Sequence, residues 1–250
     1  MNSKNDKVVL VTGGSRGIGS GIVRVLADAG YSIALTYNTN KELAEELVKD
    51  VGNGRNKVIA VQMSMQDGNS ISKALKIVDE ELGKINILIN NAGIAQEKPF
   101  LSITEQDFDG MMAVNLRGPF ILCQAVIPEM VNIGWGRIVN ISSIGGQWGG
   151  FNQVHYAAAK AGLINLTRSL ARIYSPYGIT SNAIAPGLIQ TDMSEYEINS
   201  LQGKEKIKNI PVGRLGYKEE IGYLVKYLIS DEAGYITGQT LNANGGMYFV

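Results

Sequence analysis

An apolar, β-branched run over residues 7–12 passes directly into Gly13-Gly14-Ser15-Arg16-Gly17-Ile18-Gly19. A helical repeat through Ile22, Val25, Leu26 and Ala29 follows, closed by Gly30. The run reads as a buried strand, and strand, glycine turn and helix in that order define one local unit. Glycines let the backbone approach a bound group closely. The helix start adds free N–H groups and a positive dipole end, together a seat suited to phosphate. The alternation then continues. Strands are expected at 32–37, 57–62 and 85–89, before Ser143, and at 179–185, with a last strand inside DEAGYITGQTLNANGG. Between them lie helical patterns: 40–51 ended by Gly52, one capped by Asp67 that runs to Leu82, one opened by Thr104 with Asp107, and 218–228. Strands alternating with helices predict an α/β fold with a parallel sheet.

Composition narrows the function classes. The 250 residues are 45% hydrophobic with a net charge of +0, which suits one domain with a large core. The balance suggests neither a nucleic-acid surface nor a polybasic membrane patch. Cys123 is the sole cysteine, so no internal disulfide is possible. The first six residues are polar and expected to be flexible, with no signal-peptide core, and no apolar run is expected to approach membrane-spanning length. No metal-ligand cluster is anticipated. The chain reads as cytoplasmic, without nucleic-acid or membrane partners.

The second constellation is Ser143 at the carboxyl end of the Ile138-Val139-Ile141 run, followed by a glycine-rich loop and then Tyr156-Ala-Ala-Ala-Lys160. Residues four apart share a helical face, so the phenol and the ammonium stand together. A free tyrosine titrates near ~10; a neighbouring ammonium favours the phenolate and is expected to lower that value. A serine hydroxyl can hold a substrate oxygen beside the phenol. Such a set suits proton transfer to a carbonyl or from an alcohol. Asn115 falls inside a helical segment, where asparagine is a poor former, just before Gly118-Pro119, which should kink or interrupt the helix. The lone His155 precedes Tyr156 on another side of the helix and reads as structural or substrate-lining.

TGGSRGIG, NNAG (Asn90 to Gly93), Asn115, Ser143, Tyr156 with Lys160, and Pro186-Gly187 resemble, in order and spacing, the short-chain dehydrogenases/reductases. The resemblance runs from about residue 7 to 247. It implies a Rossmann-type, doubly wound, mainly parallel seven-stranded sheet with helices on both faces, in one domain over 1–250. It further implies a catalytic set of Asn115, Ser143, Tyr156 and Lys160, with Asn115 holding a water in the proton path to the lysine. The cofactor residues it implies are Gly13, Ser15, Arg16, Gly17, Ile18 and Gly19 at the loop, and Tyr37 and Asn38 after the second strand. Ser64 and Met65 would lie at the adenine, Asn91, Ala92 and Gly93 along the cleft, and Pro186, Gly187, Ile189 and Thr191 at the nicotinamide, with Tyr156 and Lys160. Family members selective for NAD often end the second strand with an acid; here Tyr37 and Asn38 stand there, and Arg16 offers a cation to a 2′-phosphate, so NADP(H) is expected. Ser64-Met65 replaces the usual Asp-Val pair. The segment after Thr191, through Lys208, is expected to be a mobile lid.

YAAAKAGL and DEAGYITGQTLNANGGMY look like the 3-oxoacyl-[acyl-carrier-protein] reductases, which implies a homotetramer and a carrier-tethered thioester substrate. Those enzymes commonly dock an acidic carrier protein on two basic positions beside the active-site mouth. Alignment places Gly134 and Tyr177 there. Arg137, Arg168 and Arg172 lie nearby, and Trp135 with Tyr177 offers an apolar alternative. Three readings stay open: a β-ketoacyl thioester reductase, an enzyme for an untethered ketone, sugar, alcohol or CoA ester, and a non-catalytic nucleotide-binding regulator. The intact four-residue set speaks against the last.

Overall fold

A computed structural model describes residues 7–52, 56–191, 205 and 207–249. Seven parallel strands form one sheet in the order β3-β2-β1-β4-β5-β6-β9. They are β1 (Val8–Val11), β2 (Ser32–Tyr37), β3 (Val58–Gln62), β4 (Ile85–Asn90), β5 (Gly136–Ile141), β6 (Ile179–Pro186) and β9 (Thr240–Ala243). The expectation of a mainly parallel sheet tightens to an entirely parallel one. Because every strand points the same way, every strand-to-helix turn that carries a motif gathers at one carboxyl edge. The order reverses between β1 and β4, and there a crevice opens at that edge.

The alternation within β1 explains the layering. Val9 and Val11 face a core completed by α1 (Gly17–Asp28), α2 (Lys41–Val51) and α8 (Lys218–Leu228). Val8 and Leu10 face the opposite core, built with α3 (Gly68–Leu82), α5 (Gly118–Ile133) and α7 (Val154–Tyr174). Successive strand residues point to opposite faces, so an unbroken apolar run is what two covered faces require. The caps act as expected. Asn40 accepts from Leu43 N–H, Asp67 accepts from Asn69 N–H, and Thr104 with Asp107 forms a capping box on α4 (Glu105–Met112).

One expectation is sharpened. The helix is not interrupted at Gly118-Pro119. It runs through a π-turn over Ala113–Arg117, where Gly118 N–H reaches back five residues to Ala113 O, and the chain continues as α5. The wider turn absorbs the register change before the proline is met. Consequently 105–133 forms one helix of 29 residues, long and apolar enough by length and composition alone to cross a membrane. In this fold half of its apolar stretch is buried, with Leu122, Cys123 and Met130 against the sheet. On α5 the Cys123 thiol is fully buried, accepts a hydrogen bond from Asn90 Nδ2 at 3.6 Å, and is pushed up to about 12 by burial. The sequence also gave no sign of α6 (Gly145–Trp148) or of a second, two-stranded sheet, β7 (Ile189–Gln190) with β8 (Gly216–Tyr217).

Candidate active site

The glycine loop is held from below. Gly13 N–H bonds Thr36 Oγ1 at 3.1 Å, and Asn91 Nδ2 donates to Thr12 O and Gly13 O at 2.9 and 3.1 Å. A Cβ on Gly19 would collide with Gly13 O and stand 2.6 Å from Asn91 Nδ2, so glycine is obligatory there. Helix α1 begins at Gly17 with no side-chain cap and no acidic residue in its first turn, which leaves its N–H groups to an anion. Arg16 is exposed at that end, and Thr191 Cγ2 would lie 3.7 Å from a Cβ on Gly17, across the crevice. Ser15 and Tyr37 are buried and Asn38 is exposed. Ser64 N–H donates to Ser70 Oγ at 2.9 Å, which fixes the turn carrying Ser64 and the buried Met65. An uncapped helix start, glycines in close approach and an exposed arginine fit a phosphate-rich cofactor.

Ser143 lies two residues past β5, where Gly145 N–H donates to its Oγ at 3.1 Å. It is hydrogen-bonded to the Tyr156 hydroxyl. Lys160, one helical turn on, is buried and donates from Nζ to Ile141 O at 2.8 Å, while its backbone carbonyl accepts from Ser142 Oγ at 3.0 Å. Helix α7 is thus pinned to the end of β5 at two points. Nζ sits 5.7 Å from the Tyr156 ring centre. Here the electrostatic expectation is overturned. Burial raises the Tyr156 pKa, the Ser143 hydrogen bond lowers it only in part, and Lys160 is aimed at a carbonyl rather than at the phenol. The lysine itself is brought down to about 8 by burial. The phenol is therefore held protonated.

Asn115 belongs to the π-turn and is fully buried. Its Nδ2 donates to Ile94 O and Met111 O at 3.0 and 3.1 Å, and its Oδ1 has no partner among the described residues. A Cβ on Gly93 would stand 2.7 Å from Asn115 Oδ1 and 3.4 Å from Lys160 Nζ. The two polar groups converge over a residue that must be small. Ala92 N–H bonds Thr12 Oγ1 at 2.9 Å, and Gly187 packs against Asn244. Pro186, Gly187 and Ile189 therefore border the same carboxyl edge. The proposed lid falls mostly on residues 192–204 and 206, and the flexible N-terminus on 1–6; both lie outside the described residues.

Sequence reasoning missed the partners of Asn90 in the polar support beneath the site. Asn90 Nδ2 donates to Asn140 Oδ1 at 2.8 Å, Asn140 Nδ2 donates to Thr167 Oγ1 at 2.8 Å, and that hydroxyl donates to Leu163 O. This buried ladder joins β4, β5 and α7. An asparagine inside the apolar R-I-V-N-I strand was the available signal. His155 is buried with Nε2 2.9 Å from Gln96 Oε1, on the loop that leads to the Lys98–Asp107 ion pair, a structural placement. The docking positions are also corrected. Gly134 and Tyr177 precede β5 and β6 at the amino edge of the sheet, opposite the site of the same chain. Trp135 is not a free apolar surface: Lys7 Nζ and Arg137 Cζ lie 3.8 and 4.3 Å from its ring centre, and its Nε1 donates to Asp231 at 2.9 Å.

A sequence profile described as enoyl-(acyl carrier protein) reductase matches residues 13–248. A 3-oxoacyl-[acyl-carrier-protein] reductase of Staphylococcus aureus is 40% identical over 98% of this chain and 99% of its own. The chain belongs to the short-chain dehydrogenase/reductase family. An acetoacetyl-CoA reductase of Rhizobium meliloti is 42% identical over 97% of this chain and 99% of its own. Among solved structures, a blue fluorescent protein from a metagenomic library, in complex with NADPH, superposes with a TM-score of 0.92 at 35% identity, covering 99% of this chain and all of that one. Family membership makes the chain an oxidoreductase.

Proposed function

We propose that this enzyme reduces β-ketoacyl thioesters to β-hydroxyacyl thioesters with NADPH. The observation that carries the reading is a partly buried Tyr156 bonded to Ser143, with a buried Lys160 behind it, on the same sheet edge as an uncapped glycine-loop helix. When bound, NADPH supplies the hydride. Tyr156 donates its proton to the carbonyl oxygen, and its phenol is protonated at neutral pH. Ser143 Oγ, oriented by Gly145 N–H, holds that oxygen. Lys160 and Asn115 Oδ1 form the polar floor over Gly93 through which the proton on Tyr156 is replaced by way of water. Gly13, Ser15, Gly17, Ile18 and Gly19 hold the pyrophosphate, and Arg16 holds the 2′-phosphate that Tyr37 and Asn38 do not repel. Ser64 and Met65 border the adenine, Asn91, Ala92 and Gly93 line the cleft, and Pro186, Gly187, Ile189 and Thr191 hold the nicotinamide.

The names of two relatives cover a carrier-tethered and a CoA-linked substrate. Neither Gly134 nor Tyr177 can pair with a carboxylate, Arg137 is buried, and the exposed Arg168 and Arg172 stand on the half of α7 that leads to the amino edge of the sheet. Docking on an acidic carrier therefore contributes little, and the enzyme discriminates weakly between acyl carrier protein and CoA. It works as a homotetramer. The test is NADPH oxidation with acetoacetyl groups on CoA and on acyl carrier protein, beside free ketones, at low and high salt. Turnover of both thioesters at similar kcat/KM is expected. A large, salt-sensitive preference for the carrier, or turnover of free ketones alone, overturns the reading.

A further inference from the structure

The loop between Ser143 and Tyr156 is not featureless. Its first turn is α6, and Gly145 opens that helix directly on the reacting groups: a Cβ there would lie 3.4 Å from Ser143 Oγ and 3.9 Å from Tyr156 Cε1. Residues three apart share a helical face, so Trp148 leaves α6 on the side that Gly145 turns to the two hydroxyls, about 4.5 Å farther along the axis. Gly145 leaves room beside Ser143 and Tyr156, and the half-exposed Trp148 stands three residues farther along α6.

The indole does not stand alone. Its ring meets Tyr248 edge-on, with centroids 5.7 Å apart and planes at 69°, the favourable geometry for two aromatic rings. Tyr248 comes from the edge of the sheet, two strands beyond β5. It belongs to the turn after β9, where Asn244 Nδ2 donates to Tyr248 O at 2.9 Å and Gly246 N–H donates to Asn244 Oδ1 at 3.0 Å. Asn244 in turn packs on Gly187 at the end of β6. The pair therefore spans from the catalytic loop to the C-terminal turn, each ring braced by its own element.

We propose that the Trp148–Tyr248 pair is the end wall of the acyl pocket and restricts this enzyme to short β-ketoacyl groups. This rests on the thioester-reductase reading and names the acyl class within it. With the β-carbonyl oxygen at Ser143 and Tyr156, a methyl or ethyl tail fits against Gly145. A longer tail has to displace two rings that support one another. Because the wall is a pair, truncating either ring opens it.

The experiment measures kcat/KM for acetoacetyl-CoA and 3-oxooctanoyl-CoA in the wild type, Trp148→Ala, Tyr248→Ala, the double variant and Trp148→Phe. The readout is the ratio of the long to the short substrate, which a loss of folded protein does not change. The wild type should favour acetoacetyl-CoA by about tenfold or more, the scale of an apolar-pocket mismatch. Each single truncation should raise the ratio by about tenfold, the double variant should add little to the larger single effect, and Trp148→Phe should fall between. A ratio unmoved in both truncations, or a wild type that already prefers the octanoyl substrate, overturns the wall while leaving ketoreduction intact. A wild type that reduces neither thioester overturns the thioester reading and the wall with it.

Discussion

The two edges of the sheet each bury a cation, and they treat it in opposite ways. At the amino edge Arg137 donates to Gly136 O, Gly178 O and Ser230 O, lies 3.6 Å from Asp231 and stacks on Trp135. Every direction of the guanidinium is met. Among the described residues Lys160 at the carboxyl edge has one carbonyl, Ile141 O, and no carboxylate beside it, and Asn115 Oδ1 nearby has no partner. One cluster is saturated; the other keeps hydrogen-bonding capacity in reserve. A buried charge without full compensation costs stability, so the comparison locates where this fold carries its reactive groups.

The largest effect should come from Tyr156→Phe. It removes the proposed proton donor and little else, so kcat should fall by at least ~100-fold with NADPH affinity and Tm retained. Near-normal turnover would show that the carboxyl edge is not the reacting one. Arg137→Met should do the converse: three carbonyls lose their donor and the Trp135 stack opens, costing about 2–3 kcal/mol, read as a Tm several degrees lower with kcat of the folded enzyme unchanged. Arg16→Ala should weaken NADPH binding by about 1.5–3 kcal/mol in a fluorescence titration and leave NADH binding alone. Equal losses for both cofactors would remove Arg16 from the phosphate.

The most diagnostic effect is stabilisation. Lys160 falls from 10.5 to about 8, so between those values the unfolded chain binds a proton that the folded one has lost. The penalty on folding is complete below pH 8 and fades as pH rises toward 10.5. Lys160→Met should therefore abolish turnover yet raise the stability of the cofactor-free protein near pH 7 by up to about 3 kcal/mol. That gain should shrink by pH 10. A variant less stable than wild type at pH 7 would mean that the lysine is satisfied after all, and the contrast between the edges would fail.

What could be read from the sequence was what local chemistry decides. Asn40, Asp67 and Thr104 cap helices wherever they stand in such a pattern, and the apolar runs of β1 and β4 announce strands covered on both faces. The features that escaped are set by partners distant in sequence. The π-turn sits where a Cβ on Gly118 would strike Met65, 53 positions earlier in the chain. The direction of the Tyr156 shift depends on burial and on where Lys160 points, and spacing shows neither. Trp135 looked like an open aromatic because Lys7 and Asp231 approach it from the two ends of the chain. Two-residue strands such as β7 have no periodicity to detect.

Cys123 has a practical consequence. The chain has a single thiol, sealed between α5 and the sheet and with its proton held tightly, so the native fold should be inert to alkylating reagents. Reaction then requires α5 to lift. The rate of labelling becomes a clock for that opening, native to the molecule and needing no engineered probe. Followed with and without NADPH, it reports whether filling the crevice at one edge quiets the helix behind it.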